Sequence, residues 1–394
     1  MARKTEAPPP TLPRERAPDG TPLYVHLPFC AAKCHYCDFF SVAAEGHDRR
    51  PTVDAILREA DLWAPSGPRT VFVGGGTPSL LDVDELRALF DGLDARTGFR
   101  RSAREVTVEC NPESLDERKA AALLELGATR LSIGFQALDD VALKLFGRVH
   151  DAAQSFAAYR AARAAGAREV NVDLIYAWPG QELAAWRVDL DRVLDLGPDH
   201  VSAYNLTFEE DTAFRRWLDD GTLPKAPEEL ELAYFHATRA QFQARGYGPY
   251  EISNFARSGR VAHHNVNYWH NGPYLGIGPS AVSKVGAVRG GNVKSVGDYV
   301  RRIAERGDAR VWEEAPDALD RLRETWWLGL RLAEGLSADE ARARAGFDEP
   351  ADPLEPIAER LRADGLLELR CERYVLSPTG LPLGDWVARK FLDG

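Results

Sequence analysis

Between residues 22 and 206 the chain alternates short runs rich in β-branched and aromatic residues with longer amphipathic stretches. The short runs predict strands over 23–26, 70–73, 105–109, 130–134, 169–174 and 200–206. Between them apolar residues recur every three or four positions, which predicts helices over 52–63, 83–96, 115–126, 139–146, 153–165 and 183–196. Strands followed regularly by helices specify βα units, and hence an α/β fold with a helix-covered parallel sheet. Six such units in this length suit a partial (β/α)6-type barrel better than a two-layer fold. A seventh run, over 249–253, is expected to extend the sheet edge. In a barrel, chemistry belongs at the C-terminal ends of the strands.

Beyond Gly276 the pattern changes. Gly, Ser and Val dominate 277–296, so 276–296 reads as a connector. Helices are then predicted over 296–306, 317–333, 337–345 and 355–364, followed by a hairpin turning at 370–372. Three helices and a hairpin give 297–394 the character of a small winged-helix-like domain. At the other end, 1–21 carries Pro8-Pro9-Pro10 and Arg14-Glu15-Arg16 and has no apolar core. It reads as a disordered lead-in rather than a signal peptide. The main domain, over 22–275, lies between these segments.

Composition narrows the function classes. Apolar residues make up 44% and charged residues 28%, ordinary for a globular protein, and no apolar run is long enough to span a membrane. A cytoplasmic protein is the expectation. The net charge of −11 speaks against nucleic acid as a partner, because phosphate contacts need a basic surface. Five cysteines without an export signal speak against a disulfide framework. Cys110 and Cys371 stand apart and read as small buried hydrophobes.

The other three cysteines, Cys30, Cys34 and Cys37, fall within eight residues just after the first predicted strand. Three thiolates on a [4Fe–4S] cubane leave one iron open, a position that the amino and carboxylate groups of S-adenosylmethionine can fill. The alternative is a zinc site with His26, His35 or Asp38 as fourth ligand. Zinc sites usually pair two separated CxxC elements, and no second pair exists.

The Cys-x3-Cys-x2-Cys spacing, with Tyr36 before the last cysteine, resembles the signature of the radical S-adenosylmethionine superfamily. Tyr24-Val-His-Leu-Pro-Phe-Cys30 and Gly74-Gly75-Gly76-Thr77-Pro78 are similar to its coproporphyrinogen-oxidase-like branch. The resemblance implies that Gly75, Gly76 and Thr77 face the methionyl amino group. It also implies that Tyr24, Tyr36, Glu109, Gln136, Arg148 and Asp173 bind S-adenosylmethionine. Taken alone, the glycine run could be only a turn, and Arg148 a surface cation.

Two departures from the oxygen-independent coproporphyrinogen III oxidases follow. Those enzymes carry a fourth cysteine two positions after the third, where this chain has Phe39, and a longer N-terminal segment near the substrate. Further on, His264-Asn265-Val266-Asn267-Tyr268-Trp269 resembles the HNxxYW motif of HemW-type heme chaperones. That resemblance implies heme as cargo, bound by His264, Asn265, Tyr268 and Trp269, with His263 as an alternative iron ligand. Without it, the motif could be a polar loop capped by two packing aromatics. The implied partners are acceptor hemoproteins, respiratory enzymes at the membrane among them, and an electron donor, with room for a homodimer. The expected role is a chaperone. A porphyrin-modifying radical enzyme, or an interaction protein retaining an Fe–S fold, are the alternatives.

Overall fold

A computed structural model describes residues 14–393. Its centre is a nine-stranded sheet. Six strands run parallel and in chain order: Leu23–Leu27, Thr70–Gly75, Glu105–Cys110, Arg130–Gln136, Glu169–Tyr176 and His200–Asn205. The expected partial barrel is therefore present. At one edge Leu275–Ile277 pairs in parallel with the first strand. At the other edge Asn254–Ala256 and Gly248–Pro249 add antiparallel pairs, so the residues expected to form the seventh strand partly lie in the turn between these two.

Each barrel strand buries one set of alternate residues beneath the helices, such as Val71 and Val73, Val106 and Val108, or Val170 and Val172. The opposite set is mostly polar and faces inward: Thr107 and Glu109, Arg130 and Ser132, Asn171 and Asp173, His200 and Ser202. A parallel strand covered on both faces reads as continuously apolar. Alternation here means that the inner face lines a cavity instead of a packed core. The flanking helices are set by local signals. For example, Asp82 and Glu85 form a capping box ahead of Val83–Thr97, which ends on left-handed Gly98.

Three boundaries differ from expectation. Of the lead-in over 1–21, residues 1–13 lie outside the described residues, but the remainder is anchored. The Arg14 guanidinium donates to the buried Glu59 carboxylate at 2.7 Å, and the Ala17 amide donates to the Trp63 carbonyl. The connector over 276–296 is structured: Val282–Val285 and Val288–Asn292 form a three-stranded sheet with Arg310–Glu314. Helix Val296–Arg306, expected in the small domain, packs into the barrel core through Tyr299 and Ile303. Its Tyr299 hydroxyl donates to Glu59 at 2.6 Å.

The small domain has its own core, built on helices Ala318–Gly329, Ala338–Ala345, Glu355–Ala363 and Gly384–Leu392 and the hairpin Leu367–Arg370/Arg373–Leu376. Trp326 stacks on Phe391 at 4.9 Å and donates its indole N–H to Asp352. Cys110 is buried as expected. Cys371 is exposed, because it occupies the hairpin turn with φ of 49°. Among the described residues no helix is long and apolar enough to cross a membrane.

Candidate functional site

The cysteine loop leaves the first strand through Phe29–Cys30, which pairs with Val42–Ala43. Its middle is tied to a neighbouring segment: His35 donates its amide to the Phe146 carbonyl and bonds the Leu145 carbonyl through Nδ1. The three thiols line one wall of a cavity of about 1150 Å3 at the C-terminal ends of the strands. Burial pushes the Cys37 thiol up to about 12 and also raises Cys30. Such thiols ionise on coordinating a metal, not spontaneously.

The donors fit a cluster better than a single ion. His26 has both ring nitrogens engaged, Nδ1 with the Tyr24 hydroxyl at 2.8 Å and Nε2 with the Phe40 carbonyl at 2.9 Å. His35 is turned to Leu145. Among the described residues no three His, Cys, Asp or Glu side chains converge on one ion site. A zinc ion needs four donors at about 2.0–2.3 Å, whereas a cubane spreads three thiolates over three irons.

Opposite the thiols, the second strand ends in a glycine run set against the first and third strands. A Cβ on Gly76 would lie 2.7 Å from the Leu27 and Phe29 carbonyl oxygens, and Gly75 has φ of +100°. Glycine is therefore required for this close approach. The Gly75 amide donates to the Glu109 carboxylate at 2.9 Å. Asp173 accepts from Ser132 and Asn171. Burial pushes Glu109 up to about 7, with Asp173 adding to the rise, and burial raises Asp173 as well. Neither carboxylate forms an ion pair among the described residues. A ligand carrying positive charge would relieve both.

A chain of polar contacts joins the remaining residues. Thr77 donates to the Cys30 sulfur at 3.7 Å and accepts from the Asn111 amide at 2.9 Å. The Asn111 side-chain carbonyl accepts from Arg148 at 2.7 Å, and Arg148 also reaches the Cys34 sulfur at 3.5 Å. Gln136 sits at a bulge in the fourth strand with φ of 67°, a strained conformation that turns it into the cavity. The cavity wall thus brings together Tyr36, Gly75, Gly76, Thr77, Glu109, Gln136, Arg148 and Asp173. Tyr24 does not join them; its hydroxyl holds His26 from beneath. Asn111 was not anticipated from the sequence, although its place two residues beyond Glu109 at a strand end could have drawn notice.

The HNxxYW residues do not form one surface. They fold as helix His263–Trp269, whose first two amides donate to Glu105. His264 and Tyr268 point into the barrel floor. His264 is 1% exposed, with Nδ1 bonded to Thr70 at 2.8 Å and Nε2 to the Tyr268 hydroxyl at 3.0 Å. Burial drives its imidazole down to about 3. Neither nitrogen is open to iron in this arrangement. Asn265 lines the cluster cavity, and Trp269 lies under the Arg331 guanidinium of the small domain at 4.7 Å. His263 faces away, into a second cavity.

Residues 24–193 match the Radical SAM superfamily, and residues 317–383 match the HemN C-terminal domain. The Bacillus subtilis protein described as heme chaperone HemW is 32% identical over 94% of this chain and 98% of its own length. The Mycobacterium tuberculosis heme chaperone HemW is 36% identical over 94% of each chain. In fold, the chain superposes on the Escherichia coli coproporphyrinogen III oxidase HemN with a TM-score of 0.81 and 25% identity, covering 96% of this chain and 90% of that one. With whole-length relatives above 30% identity and both domains matched, the chain belongs to the HemW family of radical S-adenosylmethionine proteins.

Proposed function

We propose that this protein is a heme chaperone: it holds a [4Fe–4S] cluster and S-adenosylmethionine in the barrel cavity, and carries heme to acceptor hemoproteins. Cys30, Cys34 and Cys37 hold the cluster. Gly75 to Thr77, Glu109, Gln136, Arg148 and Asp173 hold the cofactor, with Tyr36 packing beside the cysteines against Phe146. When bound, cluster and cofactor supply one-electron cleavage of a sulfonium C–S bond. The chain's own residues supply the setting. Glu109 and Asp173 receive a cationic ligand, and Arg148 supports Cys34 while presenting charge to a carboxylate.

The reading is carried by the charge of the cluster cavity. Among the described residues nine carboxylic side chains line it, including Glu109, Asp173, Glu228, Glu229 and Glu231, against only Arg130, Arg148 and Arg331. That lining suits S-adenosylmethionine. It opposes a substrate such as coproporphyrinogen, which brings several carboxylates of its own. Phe39, 65% exposed at the cavity wall, stands where the oxidases have their fourth cysteine. The chain's close overlay on the oxidase supports the second reading, a porphyrin-modifying enzyme.

Acceptors at a membrane, an electron donor for the cluster and a cytoplasmic location complete the proposal. A side-by-side anaerobic assay tests it. Heme should pass from the loaded protein to an apo-hemoprotein, and coproporphyrinogen supplied with S-adenosylmethionine and reductant should stay unconverted. Decarboxylation without heme transfer would reverse the assignment.

A further inference from the structure

A second cavity, of about 780 Å3, opens at the N-terminal end of the barrel strands, on the far side of helix His263–Trp269 from the cluster. That volume is within the usual range for small-molecule sites. Among the described residues five cations line it, Arg69, Arg104, Lys284, Arg321 and Arg344, and Asp19 is the one carboxylic residue on the wall. Among the described residues none of the five forms an ion pair, whereas about half of the other arginines do. Arg344 has a buried Nη1 without a hydrogen-bond partner. The hydrogen bonds of Lys284 and Arg321 go to neutral groups, Asn271 for the first and the carbonyls of Ala345 and Pro316 for the second, with Glu324 near Lys284 and Glu334 and Glu340 near Arg344 acting only at longer range.

A chain of net charge −11 that gathers unpaired cations around one cavity is complementary there to an anion. The wall is not wholly polar, since Pro22, Val266 and Pro273 also contribute to it. His263 stands on the same wall. This combination, an apolar side with cations and an imidazole, suits an amphipathic iron porphyrin with carboxylate side chains.

We propose that this basic cavity is where the heme cargo docks, its propionates against Arg104, Arg344 and their neighbours and its iron on His263 instead of His264. This rests on the heme-carrier reading above and gives that cargo a place separate from the cluster. Cargo and cofactor then occupy opposite faces of one short helix.

The test is a hemin titration of the full chain followed by the Soret band. It compares wild type, the double variant Arg104→Gln/Arg344→Gln and His263→Ala, and repeats the wild-type titration with hemin dimethyl ester. The double variant should bind hemin about tenfold more weakly, since two charge-assisted contacts are lost. The dimethyl ester should bind wild type with a similar deficit, and His263→Ala should shift the Soret maximum of bound hemin. Iron and sulfide content equal to wild type would show that the variants retain their fold. Equal affinity of wild type for hemin and its ester, or unchanged binding by the double variant, would overturn the docking site while leaving the heme-carrier reading intact. Failure of wild type to bind hemin would overturn both.

Discussion

The Glu109 carboxylate accepts the Gly75 amide at 2.9 Å in a buried setting that holds its proton up to about pH 7. The folded chain therefore keeps a proton on Glu109 that the unfolded chain releases near pH 4.5. The stability this group contributes is complete below that value and is lost as pH rises through about 7. A ligand ammonium reverses the preference, so binding below pH 7 must expel the proton. S-adenosylmethionine affinity should rise about tenfold per pH unit up to about 7 and then level off. Glu109→Gln should remove the slope and weaken binding. Calorimetric titration between pH 5.5 and 8 checks both; a wild-type affinity independent of pH would dissociate Glu109 from the ligand's charge.

The thiols give a sharper outcome. Cys30→Ala, Cys34→Ala or Cys37→Ala should each prevent assembly of about four iron and four sulfide per chain on anaerobic reconstitution. Cys110→Ala and Cys371→Ala should not, because Cys110 is buried at the end of the third strand with its thiol on the Val108 carbonyl, and Cys371 lies in the distant hairpin. Iron and sulfide analysis separates the two groups.

Gly76 tests how tightly the cofactor wall is built. In Gly76→Ala the new methyl would meet two backbone carbonyls, Leu27 and Phe29, that cannot move without shifting the cysteine loop. The expected cost is about 1–3 kcal/mol in denaturant unfolding, with S-adenosylmethionine binding lost as well. Gly46→Ala provides a contrast in the same region: it has open space but a left-handed φ of +77°, so it should cost about 1 kcal/mol and spare binding.

His264 and His263 should fail differently. His264→Ala removes hydrogen bonds to Thr70 and Tyr268 and leaves a void beside Phe72, so the main effect should be instability of about 2–4 kcal/mol. His263 bonds no side chain in the barrel floor, and its loss should leave the melting temperature nearly unchanged. Thermal unfolding of both variants, measured without heme, reads the distinction.

Much of this arrangement is legible in the residue pattern, because period-two alternation in Val106-Thr-Val-Glu109 or Asn171-Val-Asp-Leu states which residues face inward. The cofactor wall follows from strand ends, which parallel pairing brings level. The floor is harder to read. His263–Trp269 shows a polar and aromatic mixture, and only packing reveals that a seven-residue helix sends His264 up, Asn265 sideways and His263 down. The basic cavity leaves still less trace, since Arg69, Arg104, Lys284 and Arg344 come from separate elements of both domains. Helix Val296–Arg306 reads from sequence as part of the small domain for a similar reason: amphipathicity reports a buried face but not the core that buries it.

The missing fourth cysteine invites one last substitution. If Phe39 alone separated this chain from the oxidases, Phe39→Cys would confer decarboxylation. Position 39 is largely exposed, so the change should be neutral for stability and for cluster content. It leaves every carboxylate of the cavity in place, however, and a substrate with several propionates would still meet Glu109, Asp173 and the Glu228–Glu231 segment. Phe39→Cys should therefore form no protoporphyrinogen under anaerobic, reducing conditions with S-adenosylmethionine. Product formation by that single variant would show that the cavity's charge does not set its substrate.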